Sequence, residues 1–268
     1  VIEKEMKEIY ARILETLSSG EAVAVCTVVR HRGSVPRRSG SKMLVYSNGE
    51  IYGSVGGGEL ESLVMEAALA ALEDGRTRTL SYNMADPSRG DPGVCGGSLE
   101  VYVEPVQPEP TIVVVGGGHV GRAVVSLANW LGFRVVLSDD RAEFCNPEAV
   151  PGAGAYICCP LSELGERTKI TPFTYLILTT RNVGVDVAGL PELLDSPAAY
   201  IGVIGSKRRW QTSREKLVEM GVPQAKLDRV NSPMGLELNA ETPEEIALSI
   251  LAEIVMLRRG GDGARMGV

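Results

Sequence analysis

The stretch Thr111-Ile112-Val113-Val114-Val115-Gly116-Gly117-Gly118-His119-Val120-Gly121 decides the fold of this chain. Residues 111–115 form a continuous apolar run, the pattern of a strand buried on both faces of a parallel sheet. Gly116, Gly118 and Gly121 follow it with the spacing G-x-G-x-x-G and open a helical segment, the context in which that motif means a dinucleotide-type turn. Glycine lets the backbone bend at positive φ and lets a ligand approach the main chain. The N–H groups at the helix start then favour an anion. His119 reads first as a helix-start residue, and it stands with the three glycines among the candidate cofactor contacts.

Downstream, the next strand, residues 133–138, ends at Asp139 and Asp140. They lie about 20 residues past the turn, where an acid reads a ribose 2′-hydroxyl and so favours an NAD-like over an NADP-like cofactor. The glycines have a plainer reading beside that one: they also permit close helix–strand packing with nothing bound. Further strands are expected at 155–158, 175–179 and 200–204, with helices near 119–131, 186–195, 207–220 and 243–259. Thr242, Pro243 and Glu245 supply the N-cap, first helical position and capping-box acid of the last helix. Alternating strands and helices predict a Rossmann-like, doubly wound parallel sheet over residues 111–259, followed by a flexible tail at 260–268. Lys207, Arg208 and Arg209, just after Ser206 at a strand end, are a candidate anion site or simply a solvated helix start.

Upstream, Gln107-Pro108-Glu109-Pro110 reads as a linker, because two prolines in four residues stop helix and sheet alike. Residues 1–106 before it show a different, α+β pattern. An amphipathic helix carries Met6, Ile9, Tyr10, Ile13, Leu14 and Leu17 and stops at Gly20. A strand at 22–29 leads into a loop at 31–40. Asn48-Gly49 joins residues 42–47 and 50–55 as a hairpin. A helix at 59–74 ends at Gly75, and strands at 78–83 and 98–104 flank a Gly-, Pro-, Asp- and Ser-rich loop at 84–97.

Three features of this half converge on chemistry. The first loop supplies Arg30, Arg32, Arg37 and Arg38. A second glycine turn, Gly53-Ser54-Val55-Gly56-Gly57-Gly58, opens a helix that carries Glu59 and Glu61. Cys95, flanked by Gly93, Gly96 and Gly97, is the third. A thiol among glycine amides and arginines is biased toward thiolate, a soft ligand suited to a metal or to sulfur transfer. A basic solvated loop, a packing turn and a small core thiol are the bland readings of the same residues. Cys26 lies inside an apolar strand and reads as core; Cys145, Cys158 and Cys159 read as packing residues.

Composition bounds the function. The 268 residues carry a net charge of −7 with 44% hydrophobic and 23% charged residues, an ordinary globular balance that argues against nucleic acid as the main partner. No apolar run approaches the ~20 residues of a membrane span. The N-terminus does not read as a signal peptide, so a cytoplasmic location is expected. Five cysteines without C-x-x-C spacing suit reduced thiols, and two histidines do not suit a His-rich zinc site.

Taken together, these stretches resemble the XdhC/CoxI family, accessory proteins that mature xanthine dehydrogenase and related molybdenum hydroxylases. The resemblance covers about residues 21–256. It rests on Arg32-Gly33-Ser34-Val35-Pro36-Arg37, the first glycine turn with Glu61, Cys95-Gly96-Gly97, the second glycine turn, and Asp139-Asp140-Arg141. It also rests on Tyr200-Ile201-Gly202-Val203-Ile204-Gly205-Ser206-Lys207-Arg208-Arg209, Ser232-Pro233-Met234-Gly235-Leu236 and Ala240-Glu241-Thr242-Pro243-Glu244-Glu245-Ile246-Ala247. The resemblance implies a binding partner rather than a turnover enzyme. Such a protein holds the molybdenum cofactor (molybdopterin) while a terminal oxo ligand becomes sulfido, and passes it to an apo-hydroxylase of xanthine dehydrogenase type. It also implies a homodimer and a cysteine desulfurase as sulfur source.

Carried onto this chain, the resemblance makes Cys95 the thiol ligand of molybdenum or sulfur relay. Arg32, Arg37, Gly56, Gly57, Gly58, Glu61, Gly96 and Gly97 become contacts to a phosphate-bearing pterin. Gly116, Gly118, His119, Gly121, Asp139, Asp140, Ser206 and Arg208 become contacts to a nucleotide extension of that cofactor, to NAD, or to the pterin phosphate. Three positions depart from the family pattern: Glu59 and Asn231 stand where Cys and His are common, and Val183 where His is often found. An NAD-dependent oxidoreductase and a nucleotide-sensing module are the competing functions.

Overall fold

The computed structural model describes residues 2–83 and 97–267. The chain divides into two compact units, Val1–Pro108 and Glu109–Val268.

In the first unit, helix α1 (Ile2–Ser18) precedes β1 (Val23–Arg32), β2 (Lys42–Tyr46) and β3 (Ile51–Gly53). Helix α2 (Gly58–Asp74) and strands β4 (Arg78–Asn83) and β5 (Ser98–Val106) follow. The strands form one antiparallel sheet in the order β3-β2-β1-β5-β4. Alternation along β1 fills both faces. Ala24, Cys26 and Val28 pack with Leu60, Val64, Ala68 and Ala71 of α2, while Val23 and Val25 pack with Ile9 of α1. A central strand covered on both faces reads as an unbroken apolar run for this reason.

Strand β1 runs further than its apolar pattern suggests, to Arg32, because its end pairs with β5: Arg30 faces Glu100 and Arg32 faces Ser98, past a register shift between Val28 and Arg30. The arginine loop is thus anchored on a sheet at its first residues. Strand β5 likewise runs through Pro105 to Val106. Beyond Val103 it has lost β4 as a neighbour, and proline is tolerated at such an edge. Gly75 ends α2 in the left-handed conformation (φ 69°).

The second unit contains β6 (Thr111–Val115), α3 (His119–Trp130), β7 (Arg134–Asp139), β8 (Ala155–Cys158), α4 (Leu164–Arg167) and β9 (Thr174–Leu178). It continues with α5 (Val183–Leu194), β10 (Tyr200–Val203), α6 (Lys207–Glu219), α7 (Gln224–Leu227), β11 (Val230–Asn231) and α8 (Pro243–Arg259). All six strands are parallel, in the order β11-β10-β9-β6-β7-β8. The order reverses between β6 and β9, the crevice where open α/β sheets place ligands. Ile112 and Val114 face α3 and α8; Val113 and Val115 face the opposite core with Leu190 and Leu217. The Rossmann-like, doubly wound sheet read from the sequence is present.

Helix α8 starts with the capping box read from the sequence, Glu245 N donating to Thr242 Oγ1 and Thr242 N to Glu245 Oε2. The short elements α4, α7 and β11, and two single 3-10 turns at Ala142–Phe144 and Leu161–Glu163, fall in stretches with too few residues to show a period. Helix α5 begins at Val183, ahead of the apolar pattern, because the Asn182 side chain accepts from Val185 N.

Candidate functional site

In the first unit the arginine loop is closed by His31, whose Nδ1 accepts from Ser39 N at 3.2 Å and lies 2.9 Å from Ser39 Oγ. That staple joins the two ends of the loop and makes Nδ1 the acceptor nitrogen of the ring. Arg32, Arg37 and Arg38 are exposed and form no ion pair among the described residues, whereas Arg30 reaches Glu100 at 3.3 Å. Sequence reasoning missed His31; its spacing of eight residues from Ser39 carries no periodic signal.

The first glycine turn runs through Gly56, Gly57 and Gly58 at φ 150°, 83° and 61°, a succession that side-chain-bearing residues rarely adopt. Its amides converge on a carboxylate of the chain itself. Glu61 Oε1 accepts from Ser54 Oγ (2.6 Å), Gly57 N (3.0 Å) and Val55 N (3.2 Å), with Gly56 N at 3.4 Å. Burial works to raise the Glu61 pKa, but the Ser54 hydroxyl and the three amides outweigh it and hold the group below its ordinary value. Glu61 is therefore the anion that organises this turn. Glu59, one of the departures from the family pattern, accepts from Tyr82 OH at 2.7 Å.

Among the described residues, the glycine turn and Gly97 each approach the arginine loop. A Cβ added at Gly56 would lie 3.2 Å from Pro36 of the arginine loop. Gly97, at the entry to β5, is buried, and a Cβ there would lie 2.4 Å from Ser34 O and 2.7 Å from Arg32 O. Only glycine fits, so the chain entering β5 is pressed against the arginine loop. An open cleft of about 510 Å³ lies here, lined among the described residues by Arg30, His31, Arg32, Ser81, Gly97 and Glu100. Cys95 and Gly96 lie outside the described residues.

In the second unit Gly116 (φ 109°) turns the chain out of β6. Glycine is required there by contact: a Cβ at Gly116 would lie 2.6 Å from Thr179 O, and one at Gly121 would lie 1.8 Å from Gly116 O. Gly118 faces open space. Asp139 is 3% exposed and folds back onto the turn, Oδ2 accepting from Gly117 N at 2.9 Å. Arg141 holds both carboxylate oxygens of Asp139 through Nε and Nη2, each at 2.9 Å. Arg181, just past β9, grips Asp140, just past β7, with two bonds of 2.6 and 2.7 Å. The Arg181 pair, ahead of desolvation, holds the Asp140 carboxyl below its usual range, and the Asp139 bond raises Arg141.

Of the basic run after β10, Arg209 turns inward. It donates to Thr180 O (3.1 Å), Thr180 Oγ1 (2.8 Å) and Asp186 Oδ2 (2.7 Å), and Asp186, fully buried, also accepts from Thr180 Oγ1. Lys207 and Arg208 stay exposed, while Ser206 caps α6 by accepting from Arg209 N. His119 is exposed and lines a groove of about 760 Å³ between α3 and α8 with Arg122, Trp130 and Leu248. The Ser-Pro-Met-Gly stretch fastens onto α8: Gly235 N donates to Glu253 Oε2 and Leu236 N to Ser249 O. The pairings of Asp186, Arg141 and Arg181 were not legible from spacing, although an acid in the first turn of an otherwise apolar helix is a signal that Asp186 has a partner.

Among the described residues no cluster of three or more His, Cys, Asp or Glu side chains is placed to hold a metal ion. No helix among them is long and apolar enough to cross a membrane.

Two family models match the chain: the XdhC Rossmann domain over residues 112–254, and the XdhC and CoxI family over residues 16–83. The chain is 34% identical to the uncharacterised protein YqeB of Escherichia coli over 91% of its own length, which spans 45% of YqeB. It is 24% identical to the molybdenum cofactor insertion chaperone PaoD of Escherichia coli, over 91% of this chain and 86% of PaoD. Among solved structures, one described as a xanthine dehydrogenase from Bacillus halodurans superposes with a TM-score of 0.51 at 22% identity, covering 96% of this chain and 97% of that one. This last likeness speaks to the fold.

Proposed function

The chain belongs to the XdhC and CoxI family, and we propose that it holds the molybdenum cofactor in the arginine-lined cleft of its first unit and delivers it to a molybdenum hydroxylase of xanthine dehydrogenase type. The observation that carries this reading is the packing of Gly97 against Ser34 and Arg32. It brings Gly97 to the edge of a cleft lined by Arg32. Arg32, and Arg37 further along the same loop, are exposed and have no ion-pair partner among the described residues. Unpaired guanidinium groups suit a phosphate monoester, which they bind in bidentate fashion. The exposed guanidinium groups therefore suit a pterin phosphate, and in sequence Cys95 stands two residues before Gly97.

Within this reading Arg32 and Arg37 bind the phosphate and His31 keeps their loop in place. Cys95 is the thiol that approaches molybdenum or relays sulfur. The cofactor, when bound, supplies the redox-active metal that the hydroxylase later uses. Sulfuration by a cysteine desulfurase, a homodimeric state and a cytoplasmic location complete the proposal and rest on the family resemblance. Relatedness to PaoD, named for cofactor insertion, supports the chaperone role. Reconstitution tests it: chain preloaded with cofactor should activate an apo-hydroxylase faster than free cofactor does. Equal rates would remove the delivery role.

A further inference from the structure

The glycine turn and strand order of the second unit imply an adenine dinucleotide, and the residues at the ribose-reading position do not fit one. We propose that Arg141 is a specificity-determining residue that closes this crevice to NAD.

A ribose diol is recognised by donating to a carboxylate with free lone pairs. Asp139 has none to offer. A carboxylate presents about four acceptor sites, and those of Asp139 are taken by Gly117 N, by Arg141 N at 3.0 Å, and by Arg141 Nε and Nη2. The side chain is 2% exposed. A neutral diol would have to displace a guanidinium and leave a buried carboxylate without its countercharge, which is unfavourable.

The turn is also roofed. Arg141 stacks on the Phe144 ring, 4.0 Å from its centroid, and a Cβ at Gly117 would lie 2.2 Å from Phe144 O. Residues 142–144 therefore sit directly on the glycine turn. Strands β7 and β9 flank β6, so the Arg181–Asp140 pair joins the loops on either side of that same turn. Two acids and two arginines at this edge are satisfied by one another. A 2′-phosphate brings its charge against Asp139 and Asp140 and gains nothing from arginines already paired.

The test is a calorimetric titration of the full chain with NADH, NADPH and ADP-ribose. The wild-type chain should bind none of them at millimolar concentration. Arg141→Ala, whose side chain is 33% exposed in the wild type, should keep the same circular dichroism spectrum and gain NADH affinity by about tenfold or more. Arg141→Ala combined with Asp139→Ala should lose that gain. Submillimolar binding by the wild type would overturn the proposal. So would a folded Arg141→Ala chain that binds no better, or a gain that survives loss of Asp139.

Discussion

The carboxylate of Glu61 sits 3.0 Å from the amide of Gly57, inside the turn that opens its own helix. A concavity of main-chain N–H groups ordinarily receives a ligand anion. Here the chain fills it, and the turn becomes a rigid corner beside the arginine loop. Glu61→Ala should destabilise the first unit by about 1–3 kcal/mol, the cost of leaving such donors unsatisfied. Chemical denaturation of the two chains measures this.

The same group sets a pH dependence. The folded pKa of Glu61 lies below its unfolded value, because the Ser54 hydroxyl and three amides overcome the effect of burial. Its contribution is therefore complete above the ordinary glutamate range, near ~4.3, and is lost as pH falls through the lowered folded value. Glu61→Gln should flatten the acid limb of a stability–pH profile while leaving its slope near neutrality unchanged.

Asp186 and Arg209 form a pair with Asp186 fully buried. Removing one partner strands the other, at a cost of about 3–5 kcal/mol. Arg209→Ala should lower the Tm well beyond what Arg208→Ala does, since Arg208 is exposed and lies in no ion pair among the described residues. Differential scanning calorimetry of the two variants compares them directly.

Gly121 and Gly118 should respond in opposite ways. Gly121→Ala places a methyl 1.8 Å from Gly116 O, so the second unit should fail to fold or lose most of its stability. Gly118→Ala meets nothing within 4 Å at a φ of −69° and should cost under about 1 kcal/mol. Yield of soluble protein and thermal melts distinguish the two.

Thiol reactivity should follow burial. Cys26 is fully buried and burial pushes its pKa to about 12, and Cys145 and Cys159 are buried and raised by the same cause. Cys158 is exposed. Among these four, a maleimide should label Cys158 first in the native chain, as read by peptide mass spectrometry.

The doubly wound sheet was legible because its signals are local: five apolar residues, three glycines at fixed spacing, and an acid at the end of the next strand. The capping box at Thr242 and Glu245 was legible for the same reason. What Asp139 does was not. The strand end at which it sits is a local property, but its occupation by Arg141 depends on a turn at Ala142–Phe144 too short to show a period. The sequence places Glu61 among ligand contacts, whereas its carboxylate lies against the Ser54 hydroxyl and the amides of its own turn. Arg181 reaches Asp140 across 41 residues of sequence, a pairing that only the parallel sheet creates. Strand β1 overran its apolar pattern because pairing with β5, rather than burial, holds its last residues.

The arginine loop offers a graded test of the cleft. Each of Arg32→Ala and Arg37→Ala should weaken cofactor binding by about tenfold to a hundredfold, the worth of a charge-assisted bond to phosphate. His31→Ala should weaken it through loss of the bond to Ser39. Binding isotherms at two salt concentrations would separate the losses, since only the arginine variants change the salt slope.

The most direct measurement is the molybdenum content of the full chain after incubation with molybdenum cofactor and gel filtration. The wild-type chain should carry stoichiometric molybdenum, and Cys95→Ala should lose it. A wild-type chain that emerges without molybdenum would rule out cofactor holding by this protein, and a Cys95→Ala chain that retains it in full would rule out Cys95 as its thiol.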